Sequence, residues 1–152
     1  MTNALSKWAL LPLRLIIGFG FVYHGFPKLF SAGGHDMFVG MLQSIGVPAA
    51  GMMAWAVGSV ELLGGIALIA GAFMSIASIP LIIDMLVALF SVHLSNGFNF
   101  IHITGMTDAG PVFGLPGYEV NLLYIAGLLA LFLRGPSHLS VDEALAKRRN
   151  RQ

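Results

Sequence analysis

The chain contains no cysteine. That excludes disulfides, thiolate catalysis, iron–sulfur clusters and thiolate metal sites within it, and it leaves the redox compartment open. Charge is also scarce: 10% of the 152 residues are Asp, Glu, Lys or Arg, against about 25% in a soluble domain. Too few charges remain to cover a water-facing surface. The eight basic and seven acidic side chains nearly cancel, for a net charge of +1, so no nucleic-acid partner is expected. Internal repeats and low-complexity tracts are missing, and no HxxxH-like pair is present, so no metal site is expected. What remains is 57% hydrophobic residues. A lipid-facing surface is the simplest way to place them.

A membrane span needs roughly 20 mostly apolar residues. Four windows qualify: about 8–26, 49–70, 73–94 and 118–133. The first is too long for the apolar part of a signal peptide, contains Arg14 and ends without a small-x-small site, so it reads as a retained span. Pro48 opens the second window and Gly135-Pro136 closes the fourth. Only Gly71 and its neighbours separate windows two and three, which makes them an antiparallel hairpin. The expected fold is a single all-α domain, an integral membrane bundle of four transmembrane helices. Residues 27–47 carry a Phe38–Met41–Leu42–Ile45 stripe that predicts a short interfacial helix between helices 1 and 2. Residues 95–117, rich in Gly, Pro and aromatics, predict a long ordered loop or re-entrant segment between helices 3 and 4. Lys7 precedes the first span, and Arg134, Lys147, Arg148, Arg149 and Arg151 follow the last. The basic tail 134–152 and both termini are therefore expected in the cytoplasm, with the two long connections outside.

Arg14, Glu61 and Asp84 fall inside the spans. An ionisable residue at a helix centre costs about 2.5–3.5 kcal/mol on insertion scales, so such residues face inward, find partners and mark function. Helical periodicity places Arg14 with Gly18, Phe21, Gly25 and Lys28; Glu61 with Ala54, Gly58, Gly65 and Leu68; and Asp84 with Ala77, Ala88, Ser91 and Ser95. These are the small-residue stripes of packed membrane helices. The hairpin sets Glu61 and Asp84 at matching depth, and Arg14 is expected to reach them from the cytoplasmic side. Two readings stand for this trio: a static network that fixes helix register, or catalytic residues that relay a proton or hold a ligand headgroup. With two carboxylates and one guanidinium, one carboxylate is expected to keep a proton.

A second group maps to the outer side: His24, His35, His93 and His102, with Lys28, Asp36, Asp108 and Glu119, among Tyr23, Phe98, Phe100, Phe113, Tyr118 and Tyr124. An interfacial aromatic belt accounts for it. So does a pocket for an aromatic or quinone-like ligand, with His24, Lys28, His102 and Glu119 as its contacts. On a regular helix His93 points away from Asp84. His138 lies at the other end and is expected to be unrelated.

Span one reads Arg14-Leu-Ile-Ile-Gly18, then Tyr23-His24-Gly25-Phe-Pro-Lys28-Leu-Phe30. Span two reads Glu61-Leu-Leu-Gly64-Gly65 and reaches Gly71, and after span four comes Arg134-Gly-Pro-Ser-His-Leu-Ser140-Val-Asp142. This order of motifs resembles the DoxX family of small four-helix bacterial membrane proteins. The resemblance implies that Arg14, His24, Gly25, Lys28 and Glu61 are signature positions. It also implies kinship with the small membrane subunit of a thiosulfate:quinone oxidoreductase or with membrane oxidative-stress complexes. The leading expectation is an inner-membrane, quinone-interacting subunit of a redox system. Its electron-carrying cofactor would sit on a redox partner protein, since no haem, flavin or cluster motif is present. Membrane lipid would surround it, and association between copies is left open. The alternative is a non-enzymatic scaffold that anchors a soluble partner.

Overall fold

The computed structural model describes residues 8–135 and 138–149. Lys7, Pro136 and Arg151 of the expected flanks lie outside them. The chain is mostly helical: α1 (Leu10–Phe30), α2 (Ala32–Ser44), α3 (Ala50–Ala70), α4 (Met74–Ala88), α5 (Glu119–Arg134) and α6 (Val141–Arg149). A π-turn, Leu89–His93, and a 3-10 turn, Leu94–Asn96, extend α4. The start of α1, the α3–α4 turn and α6 lie at one end, here called basal. The opposite end, carrying α2 and the α4–α5 connection, is apical.

Among the described residues, three helices are long and apolar enough to cross a membrane: Leu10–Phe30, Ala50–Ala70 and Met74–Asn96. The 16 residues of α5 rise about 24 Å, against about 30 Å of hydrocarbon. α1 runs past the expected end at Phe26, with Pro27 inside it. A proline there disturbs only the last turn, and the Ser31 N–H closes that turn on the Pro27 carbonyl at 3.2 Å. The α4–α5 connection differs from an all-α expectation. It holds an antiparallel hairpin, β1 (Ile103–Thr107) with β2 (Gly110–Phe113), turned through Asp108 and Ala109.

Packing is inverted relative to a soluble protein. Gly58, Gly65 and Ala54 of α3 are buried while Met52, Leu63 and Ile66 are exposed, and α1 exposes Ile16 and Phe19. Small residues admit a neighbouring backbone, and large apolar ones face lipid. α1 and α3 run antiparallel and meet glycine to glycine. A Cβ on Gly18 would lie 2.8 Å from the Gly65 carbonyl oxygen, and one on Gly65 would lie 2.7 Å from that of Gly18. Seven residues along each helix, a Cβ on Gly25 would lie 2.7 Å from the Leu62 nitrogen and 3.0 Å from the Gly58 carbonyl. Ile17, Phe21, Leu68, Leu81, Leu128 and Leu131 form the main core, and Leu42, Ala50 and Ala54 seat α2 on α3.

The α3–α4 turn is closed twice. Gly71, at φ 65°, terminates α3 while Ala72 N–H reaches Ala67, a left-handed glycine stop. α4 begins without a capping side chain of its own. Instead Asp142 accepts from the Phe73 and Met74 N–H groups at 2.8 and 3.0 Å.

Because the obstacle at Gly25 is backbone, Gly25→Ala should cost about 1–3 kcal/mol. Gly33 has nothing within 4 Å of its Cβ position, so Gly33→Ala should leave stability unchanged or slightly raised. Thermal unfolding of detergent-solubilised protein, followed by size-exclusion chromatography, checks the contrast. Equal melting temperatures for the two variants would contradict the glycine contact.

Candidate functional site

At Gly58 the absence of a side chain lets α1 approach closely: a Cβ there would lie 2.9 Å from the Leu29 side chain and 3.1 Å from the Lys28 Cβ. The Lys28 ammonium donates to both Glu61 oxygens at 2.6 and 2.5 Å. Glu61 is buried. The Lys28 ammonium also sits 4.2 Å from the centroid of the Phe38 ring on α2, a cation–π contact. α2 is held by its own bonds: His35 Nδ1 donates to the Lys28 carbonyl at 2.7 Å, and its ring packs on Trp55 of α3. Lys28 is thereby fixed from both ends.

Asp84 of α4 lies beside Glu61, near enough for a carboxyl–carboxyl hydrogen bond, and within the field of Lys28. The depth match expected from the hairpin is present. Asp84 Oδ2 is buried and has no donor facing it among the described residues. Two carboxylates have no hydrogen to share, so their contact becomes a hydrogen bond only when one proton is held between them. One ammonium and two carboxylates call for that same proton.

Above this cluster lies a cavity of about 400 Å³. Lys28 and Glu61 line its floor, His24 and His93 its sides, and Phe21, Phe38, Phe100, Asn121 and Tyr124 much of the rest. His93 is there because α4 is not regular. At about 100° per residue, nine residues from Asp84 put His93 on the opposite face. The π-turn inserts one extra residue and brings the ring back by about 100°. His93 Nδ1 then donates to the Pro116 carbonyl at 2.8 Å, tying the apical connection over the cavity.

The other residues singled out from sequence lie elsewhere. His102 Nδ1 bonds the Leu115 carbonyl at 3.0 Å and Glu119 accepts from the Phe100 N–H at 3.0 Å. Both hold the apical connection in shape, and neither lines the cavity. Arg14 does not meet the carboxylates. With Gly18 set against Gly65 and Gly25 against Gly58, Arg14 is level with the α3–α4 turn, and a Cβ on Gly71 would lie 2.6 Å from its guanidinium. The buried Arg14 donates to the Leu139 carbonyl at 3.0 Å. Along the helix it stands about 15 Å from the Glu61 level, beyond the reach of its side chain.

Arg14 therefore belongs to a basal latch. The Ser140 hydroxyl caps α6 through the Glu143 N–H at 3.1 Å, Glu143 accepts from the Leu139 N–H, and Asp142 caps α4. His138 packs edge-on against Trp8. The hydrogen bond from Lys147, with the charges of Lys147 and His138, holds the exposed Glu143 carboxylate below its ordinary range. Its contribution to docking α6 is present at neutral pH and lost as pH falls through the carboxylate range. The Ser140-x-x-Glu143 spacing is a capping-box signal legible in the sequence. No local signal announces the π-turn that delivers His93, or the burial of Asn121 and Tyr124 against the cavity.

Residues 9–94 match the DoxX family model. The chain is also similar to an uncharacterized membrane protein of Mycobacterium tuberculosis, 30% identical over 141 residues that cover 90% of this chain and 80% of that one. No solved structure matches.

Removing one member of a buried ion pair strands the other. Lys28→Met should destabilise the protein by about 3–5 kcal/mol, and adding Glu61→Gln should restore much of the loss. Thermal melts of the single and double variants check this; additive losses would count against the pair. At the basal end, Asp142→Ala should cost about 1 kcal/mol as a lost cap and Arg14→Ala about 1.5–3 kcal/mol as lost charged hydrogen bonds. Both act on one docked segment, so the double variant should lose less than the sum.

Proposed function

The chain belongs to the DoxX family, and from that premise we propose that it is a quinone-interacting subunit of a membrane redox system. The quinone headgroup sits in the apical cavity, and the Lys28–Glu61–Asp84 cluster beneath it supplies and takes up protons. The observation that carries this reading is the single cavity of about 400 Å³ joining His24, His93, Lys28 and Glu61 to aromatic walls. Its make-up fits such a group. Apolar and aromatic sides suit a flat ring, and a few convergent donors suit its carbonyl oxygens.

A bound quinone accepts two electrons and two protons. His24, His93 and Asn121 are the side chains that would orient it. Lys28 holds the charge of Glu61 in place, and the proton shared by Glu61 and Asp84 is the one nearest the cavity floor. Electrons come from a partner protein that carries the redox cofactor; among the described residues no group of His, Asp and Glu could hold a metal ion. The protein lies in a bacterial inner membrane with α5 as a fourth span, its short length offset by Arg134 reaching outward at the basal end. Both termini then lie in the cytoplasm, where Lys147, Arg148 and Arg149 satisfy the positive-inside rule.

The second reading, a scaffold for a soluble partner, draws on the basal latch, which holds α6 and its exposed basic turn in a fixed place. The two separate experimentally. A ubiquinone or menaquinone analogue titrated into purified protein should quench tryptophan fluorescence saturably, and His24→Ala should weaken binding about tenfold. Unsaturable quenching, or wild-type affinity in His24→Ala, would remove the quinone reading and leave the scaffold.

A further inference from the structure

Below the cavity α1 and α5 are sealed together. A Cβ on Gly20 would collide with the Tyr124 hydroxyl, and one on Gly127 with the Ile17 side chain. The two helices run antiparallel here, 17 against 127 and 20 against 124. The same register carries on to 24 against 120. His24 and Val120 both line the cavity, and each also lines a groove on the outer surface: His24 one on α1 with Phe19, Val120 one on α5 with Leu123. The seam that Tyr124 closes is thus bordered, one turn higher, by two residues that face both the interior and the lipid side.

We infer that the cavity opens sideways into the bilayer between α1 and α5, at His24 and Val120, and that its ligand is an amphiphile whose hydrocarbon tail leaves through this portal and lies along the α1 groove toward Phe19. The inference rests on the reading of the cavity as a quinone headgroup site and adds the route and the tail. The α1 groove is the better bed for a hydrocarbon. Apart from His24 it is lined only by Phe19, Val22, Tyr23, Phe26 and Pro27, and from His24 to Phe19 it descends about 7 Å toward the middle of the helix. The α5 groove includes Glu119 and Asn99 at the apical rim, a setting for polar groups. Phe19 is exposed on the lipid side, so its truncation removes a tail contact without opening the core. A ligand drawn from the leaflet also needs no aqueous mouth, which suits a cavity roofed by the connection that His93 ties down.

Two probes test the portal on the full-length protein in one detergent: 2,3-dimethoxy-5-methylbenzoquinone and the same ring with a decyl chain. The readout is the ratio of their dissociation constants, each variant against wild type, so that detergent partitioning cancels. Val120→Trp narrows the portal and should weaken the decyl probe about tenfold relative to the bare ring. Phe19→Ala, with an unchanged melting temperature, should shift the ratio in the same direction by several-fold. If both probes bind wild type but neither variant moves the ratio, the portal is overturned and the quinone reading stands. If neither probe binds wild type saturably, the quinone reading falls and this inference falls with it.

Discussion

Two helices whose backbones touch leave no room for lipid between them, and α1 and α3 touch twice, at Gly18–Gly65 and at Gly25–Gly58. The Lys28–Glu61 ion pair depends on that closeness. The seven-residue spacing on both helices fixes a single register, and the register sets Lys28 one turn from Glu61, within reach of both its oxygens. The missing side chain at Gly58 makes room for Leu29 and the Lys28 Cβ at that contact. Hydrocarbon offers no hydrophobic drive for helices to associate, so packing and polar contacts carry the association instead. Here the two are the same contact seen at different positions along one interface.

Much of this was legible in the sequence. The small-residue stripes around Arg14 and Glu61 point to the right faces, and the short turn at Gly71 sets Glu61 and Asp84 at one depth. What failed was the pairing between helices that are not joined by a tight turn. A span's hydrophobicity gives its approximate limits but not its slide against a neighbour. Arg14 was expected about one turn from the carboxylates and stands several turns away, while Lys28, assigned to a separate outer group, is the cation that meets them. Regular helical phase misplaced His93, because a π-turn leaves no composition signature. The β-hairpin was legible only after the fact, in the β-branched residues flanking Asp108-Ala109-Gly110.

The two ends of the molecule divide the signature residues between them. His24, Lys28 and Glu61 gather at the cavity, whereas Arg14, Leu139, Ser140 and Asp142 build the latch. The motif residues are therefore spread over both ends of the bundle, some at the cavity and some at the latch. The cavity is lined by residues of α1, α2, α3, α4 and α5 together with the α4 extension and the apical connection.

The latch has a consequence for assembly. The first amides of α4 receive their cap from Asp142, 69 residues after Phe73. At a synthesis rate of about 5–20 residues per second, α4 waits several seconds for it, with its leading N–H groups served by water at the membrane surface. The α3–α4 hairpin can be inserted long before it is finished. α6 is made after the helices it closes, so the base of the bundle stays open until Asp142 reaches the α4 amides.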